Sequence, residues 1–186
     1  VTLRLVVITG GPGAGKTSLV TYLASLGYVT VPEAAIQIID ELNRELGVSG
    51  QVEWREGHPA EFVQLAFRRQ VALEMACPVA EGSIGFCDRG RPDVVAYARL
   101  YGLELDREVR SLIERQRYLR VFLLDTLSSF EDRSATGRTS DRERSLRIGD
   151  LLDDAYRSYG YSPFQVPELS IEDRARIVLS ELGLRR

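Results

Sequence analysis

The stretch Gly10-Gly11-Pro12-Gly13-Ala14-Gly15-Lys16-Thr17 decides the fold. Its spacing, G-x-x-x-x-G-K-[ST], comes with the two contexts that give the pattern meaning: an apolar strand directly before it and a helix directly after it. Glycines at 11, 13 and 15 allow backbone angles that other residues resist, so successive N–H groups can turn inward around a β-phosphate. The helix that follows aims its positive end at the same oxygens. Lys16 is expected to reach the β- and γ-phosphates, and the Thr17 hydroxyl to take one magnesium position. Pro12 has no N–H, so it shapes the loop rather than binding phosphate. The expected nucleotide contacts are Gly11, Gly13, Ala14, Gly15, Lys16, Thr17 and Ser18, with ATP and Mg2+ as the ligands.

Among 24 basic residues Lys16 is the only lysine; all the others are arginines. A lysine kept at this single position points to chemistry that a planar guanidinium cannot replace, since a compact ammonium fits among phosphates.

Working outward, apolar runs without polar alternation alternate with helical patterns, as in a parallel sheet covered on both faces. The fold class is therefore α/β, with five parallel strands at 3–9, 28–31, 83–88, 119–124 and 164–166. Helices are expected over 16–25, from Pro32 and Glu33 to about 46, from Pro59 onward, over 93–100 and 106–115, from the end of a polar loop at 125–141 to about 158, and up to about 182. Residues 47–57, polar and bearing glycines, are expected to form a loop. The long helix after Pro59 is a candidate wall for a substrate cavity. Ser170 and Asp173 stand at capping-box spacing for the last helix. Residues 1–186 are expected to form a single nucleotide-binding domain, with a lid at about 125–147.

Hydrophobic residues make up 44% and charged residues 27% of the chain, the balance of a globular protein, and no apolar run reaches the ~18 residues of a membrane span. The apolar start is expected to be a buried strand, not a signal peptide. A net charge of −3 disfavours nucleic acid and anionic membranes as partners. Cys77 and Cys87 have no metal-binding spacing around them and are expected to be reduced thiols of a cytoplasmic protein.

Asp88 ends an apolar strand in Phe86-Cys87-Asp88-Arg89-Gly90, at the strand edge where open α/β sheets place ligands. It is a candidate for magnesium, the alternative being an ordinary turn aspartate. Arg89 is a candidate for substrate or phosphate contact, or for a structural ion pair. Glu33, in Val31-Pro32-Glu33-Ala34, stands at the same edge; it can serve as a general base or merely favour the positive end of its helix. Arg133, Arg138, Arg142, Arg144 and Arg147 crowd the late loop and the next helix. They form either a lid over the transferring phosphoryl group or a solvated, self-paired face. Arg138 is the first choice for the lid contact. His58, before Pro59, reads as structural, and Trp54 as a cavity cover or a half-buried side chain.

Together V-I-T-G-G-P-G-A-G-K-T, V-P-E-A-A, F-C-D-R-G-R-P-D-V-V-A-Y-A-R-L and S-Y-G-Y resemble a family of small bacterial P-loop proteins called AAA-domain ATPases, over nearly the whole chain. The family is similar to P-loop kinases, including the ribosylnicotinamide kinase domain, and more distantly to deoxynucleoside kinases. The resemblance implies a P-loop NTPase three-layer sandwich with an arginine-bearing lid. From the deoxynucleoside kinases it implies a base at Glu33 and an acidic-arginine pair at Asp88 and Arg89, although those enzymes do not end strand three in this aspartate. The expected activity is an ATP-dependent kinase, with Lys16, Glu33, Asp88, Arg89 and Arg138 as catalytic residues and a hydroxyl of a nucleoside-like or other small metabolite as acceptor. The alternative is an ATP-hydrolysing switch or adaptor that acts through a protein partner. A polynucleotide 5′-kinase fits the acidic charge poorly.

Overall fold

The computed structural model describes residues 4–78, 80, 82–128 and 141–184. Strands β1 (Leu5–Gly10), β2 (Val29–Val31), β3 (Gly85–Asp88), β4 (Arg120–Leu124) and β5 (Phe164–Val166) form one sheet. Its order is β2-β3-β1-β4-β5, and every pairing is parallel. Helices α1 (Lys16–Ser25), α2 (Ala34–Gly57), α3 (Pro59–Met75), α4 (Asp93–Tyr101), α5 (Arg107–Arg115), α6 (Arg142–Ser158) and α7 (Ile171–Glu181) complete the element order.

The unbroken apolar run of β1 has its cause in this layering, because successive side chains point to opposite faces and both faces are covered. Leu5 and Val7 join Cys87, Val121 and Leu123 in one core, roofed by Phe67 of α3, Val94 and Val95 of α4, and Leu152 and Tyr156 of α6. Val6 and Ile8 join Phe86, Phe122 and Leu124 in the other, beneath Leu19 and Leu23 of α1 and Val178 of α7. Each such fully buried side chain contributes roughly 1.5–3 kcal/mol. The result is the three-layer α/β sandwich with a five-stranded parallel sheet.

From β1 the chain crosses outward to β2, returns through β3, then passes to β4 on the other side of β1. The strand order therefore reverses between β1 and β3, and a crevice opens beyond their carboxyl ends. Gly10 and Asp88 stand at its floor, with Ile8 registered against Asp88.

The expected loop at 47–57 is instead helical. Gly47 alone leaves helical geometry, with φ 71° and ψ 166°, and the helix resumes beyond it to Gly57. Gly50 and Gly57 each disfavour helix by about 1 kcal/mol, but this half-helix places Arg55 over the Phe62 ring of α3, 5.5 Å from its centroid. It also stacks Trp54 on His58, ring centroids 5.2 Å apart. His58 joins α2 to α3, as a structural residue would, and its Nδ1 lies 2.8 Å from the Trp54 carbonyl. The Ser170 side chain caps α7 by accepting from the Asp173 N–H, as its spacing predicts. Cys77 and Cys87 are free and buried. No helix among the described residues is long and apolar enough to cross a membrane.

Candidate active site

The phosphate loop turns between β1 and α1. Gly13 and Gly15 adopt φ 77° and 83°, a region that costs other residues roughly 1–2 kcal/mol. Gly11 is needed for a different reason: a Cβ there would run into the Ser145 carbonyl and hydroxyl of α6. Ser145 also donates to the Pro12 carbonyl at 2.6 Å, so α6 is seated directly on the loop. From the opposite face of the sheet, Arg174 of α7 donates to the Ala14 carbonyl at 2.7 Å.

Lys16 is buried, and its Nζ donates to the Gly11 carbonyl at 2.9 Å. Burial lowers its pKa to about 8; the Arg89 charge adds to the shift, and Glu33, Asp88 and Asp93 oppose it. The Thr17 hydroxyl donates to Asp88 Oδ2 at 2.7 Å. The other carboxylate oxygen, Oδ1, is buried and accepts no hydrogen bond among the described residues. Burial, and then the Glu33 charge, raise Asp88 to about 6. A buried carboxylate with one oxygen unsatisfied, beside a threonine hydroxyl and the phosphate loop, fits magnesium, which takes one or two carboxylates and leaves its other positions to water and phosphate.

Arg89 organises the rest. Its backbone is left-handed, φ 77°, unusual outside glycine, and its N–H donates to the Ile8 carbonyl at 3.0 Å. This twist turns the guanidinium inward, where Nε donates to Glu33 Oε1 at 2.8 Å and Nη1 to Asp93 Oδ2 at 3.0 Å. Glu33 is the N-cap residue of α2, yet its side chain makes no capping hydrogen bond. The ion pair, not the helix end, orients it. Asp93 in turn accepts from Thr9 Oγ1 at 2.9 Å and from the Tyr156 hydroxyl at 2.6 Å, tying β1, α4 and α6 together. Gln70 of α3 donates to the Arg89 carbonyl at 3.1 Å and to Glu74 at 3.0 Å. Glu74 also receives Arg91 Nε at 2.8 Å and the Tyr118 hydroxyl at 2.7 Å.

A cavity of about 560 Å3 runs from Gly15, Lys16 and Thr17 past Glu33 and Arg89 into a chamber between α2, α3, α4 and α6. Phe62, Val63, Phe67 and Gln70 of α3 form one wall, as the sequence pattern anticipated, and Tyr97 and Tyr101 of α4 another.

A family model described as an AAA domain matches residues 5–174. The chain belongs to this AAA-domain family. It is accordingly a P-loop phosphotransferase or ATPase. No curated protein matched the chain in sequence comparison. Among solved structures, thymidylate kinase from Ehrlichia chaffeensis is similar at 16% identity and TM-score 0.56, covering 98% of this chain and 100% of that one. NadR in complex with NR is similar at 18% identity and TM-score 0.66, covering 98% of this chain and 50% of that one; the chain spans half the length of NadR. Deoxyadenosine kinase from M. mycoides with bound dATP is similar at 14% identity and TM-score 0.57, covering 97% and 100%. At these identities the likeness is one of fold.

The AAA-domain chain brings Lys16, Thr17, Asp88, Arg89 and Glu33 into one crevice. Gly13, Gly15 and Ser18 line the same cavity, while Ala14 is wholly buried behind the loop. Arg133 and Arg138, and with them most of the expected lid, lie outside the described residues. Of the lid arginines that are described, Arg144 lines the cavity. Sequence reasoning missed Asp93, Tyr156, Gln70 and Arg55. Only Asp93 carried a local signal, a carboxylate four residues after Arg89. The others lie far along the chain and meet the site only through packing.

Proposed function

We propose that this AAA-domain protein is an ATP-dependent kinase that transfers the γ-phosphoryl group to a hydroxyl of a small, nucleoside-like or related metabolite. One observation carries the reading: the cavity does not stop at the phosphate loop but passes the Glu33 carboxylate and opens into a chamber of molecular size, lined by aromatic and aliphatic side chains. A protein that only hydrolysed ATP has no need of that chamber.

In this reading the loop N–H groups and Lys16 hold the β- and γ-phosphates. Thr17 and Asp88 would hold magnesium, which when bound neutralises phosphate charge. Glu33, kept in place by Arg89, accepts the acceptor hydroxyl proton. The acceptor oxygen forms its bond to the γ-phosphorus as the bond from that phosphorus to the β,γ-bridging oxygen breaks, leaving ADP and the phosphorylated acceptor. Arg138 remains our candidate for a lid contact to the transferring group.

The test is ATP consumption by the purified chain across a panel of nucleosides and small hydroxyl metabolites, with products identified by mass spectrometry. On the true acceptor, Glu33→Gln is expected to bind ATP normally and to slow transfer by roughly 10² to 10⁴. Transfer at the normal rate would remove Glu33 from the mechanism. Slow ATP hydrolysis with no product on any acceptor would favour the switch reading.

A further inference from the structure

Two carbonyls of the phosphate loop are held from outside it, one from each helical layer. Ser145 Oγ of α6 donates to the Pro12 carbonyl at 2.6 Å, and Arg174 Nη1 of α7 donates to the Ala14 carbonyl at 2.7 Å. In a trans peptide the carbonyl and the N–H that follows it point opposite ways, and no peptide among the described residues is cis. The Ala14 carbonyl is drawn toward α7, behind the loop: Ala14 and Arg174 are both buried and neither lines the cavity, whereas Gly15 and Lys16 do. Holding that carbonyl back turns the Gly15 N–H forward, to the side where phosphate is expected. Gly15 has no Cβ to fix the direction of this peptide, so the outside contact selects it.

Arg174 brings more than a tether. It is 2% exposed, and its other bond is again to a backbone acceptor, the Pro167 carbonyl, which receives Nε at 3.0 Å. Nη2 is buried and has no hydrogen-bond partner among the described residues. Glu168 and Asp125 act on the group through their charge alone, and burial outweighs them, holding Arg174 below the usual arginine range. Glu168 is itself engaged by the N–H and hydroxyl of Ser128. A buried cation with no carboxylate bonded to it is unfavourable in the free protein, and an anion bound nearby relieves it. A Cβ on Gly15 would lie 3.3 Å from Nη1, so the charge stands one peptide behind the phosphate site.

We propose that Arg174 is a positioning residue for the donor triphosphate, holding the Ala14–Gly15 peptide with its N–H turned toward the phosphates and placing a buried positive charge directly behind them. The proposal rests on the nucleotide-binding part of the reading above and requires no particular acceptor.

The test uses the full chain with ATP and, as a probe that has no base, inorganic tripolyphosphate, both in EDTA and measured by calorimetry. Arg174→Gln should bind each about tenfold or more weakly than the parent, the order expected for one hydrogen bond to a charged oxygen. Arg174→Lys keeps the charge and a donor and should recover part of the loss. Val178→Ala, one turn further along α7 in the buried core, lowers stability without touching the loop and should bind both probes as the parent does. The direct signature is read by amide NMR on protein isotope-labelled at its glycines. In the parent the Gly15 amide proton should move downfield on saturation with ATP, and in Arg174→Gln that movement should be lost. Parental affinity in Arg174→Gln, no recovery in Arg174→Lys, an equal loss in Val178→Ala, or a Gly15 proton that ATP leaves in place in the parent overturns the proposal. The last measurement needs no variant, so it decides the matter even where Arg174→Gln does not fold. Because nothing is transferred in this experiment, its failure is separate from a failure of the Glu33 test.

Discussion

Arg89 Nε donates to Glu33 Oε1 across 2.8 Å, with the two side chains only 10% and 12% exposed. The same guanidinium holds Asp93, so its removal strands two buried carboxylates. Arg89→Met is expected to lower stability by roughly 3–5 kcal/mol, measured by urea unfolding. Arg89→Lys should recover only part of this, since one ammonium cannot span both partners as the fork does. Arg89→Gly should exceed Arg89→Ala by about 1 kcal/mol, because the position is left-handed at φ 77°. A stable, fully active Arg89→Met would show that the pair orients nothing.

Lys16 predicts a pH dependence of nucleotide binding. In the free protein its pKa is lowered to about 8. A bound triphosphate favours the ammonium, so binding is accompanied by proton uptake once the free lysine begins to lose its charge. ATP affinity measured with EDTA should be level below pH 7 and fall by about tenfold per unit well above pH 8, down to the affinity of the neutral form. Lys16→Ala should bind weakly with no such slope. Lys16→Arg should also be severely impaired, because the wider guanidinium crowds the loop. Strong binding by Lys16→Ala would sink the assignment of the loop.

For Asp88 the shift is upward and bears on folding stability. Its folded pKa is raised from 3.8 to about 6, so the stability it contributes is full below pH 3.8 and lost as pH rises through 6. Asp88→Asn should abolish that decline and be no less stable than the parent at neutral pH, by denaturant unfolding at a series of pH values. Magnesium-dependent turnover should nevertheless fall far more than ATP affinity in EDTA. If both fall equally, Asp88 has no special tie to the metal.

Gly11→Ala tests the contact between α6 and the loop. The added methyl meets the Ser145 carbonyl, which belongs to the backbone and cannot rotate away. Overpacking of this kind costs roughly 1–3 kcal/mol. Stability should fall by that amount in urea unfolding, and ATP affinity should fall with it as the loop is pushed from its seat. An unchanged variant would mean that α6 yields freely.

The local chemistry of the chain determined the α/β class, the loop and the rank of its residues. Leu5 to Ile8 must be covered on both faces because every side chain there is apolar, and the glycine spacing admits few other conformations. The cap at Ser170 was equally local, since it is satisfied by an N–H three residues on. Glu33 and Asp88 were legible as candidates because strand ends mark the ligand edge of a parallel sheet. That an ion pair holds Glu33 was not legible, as its partner Arg89 lies 56 residues away. The second half of α2 was misread because three glycines lower local helix propensity, whereas the Trp54–His58 stack and the Arg55–Phe62 contact favour the helix. That Asp93 joins three elements, that Ser145 is why residue 11 is glycine, and that Arg55 and Arg144 share one chamber were decided only by tertiary structure. Each depends on a contact between chain segments far apart in sequence, and a side chain's local neighbours carry no record of what the fold will place against it.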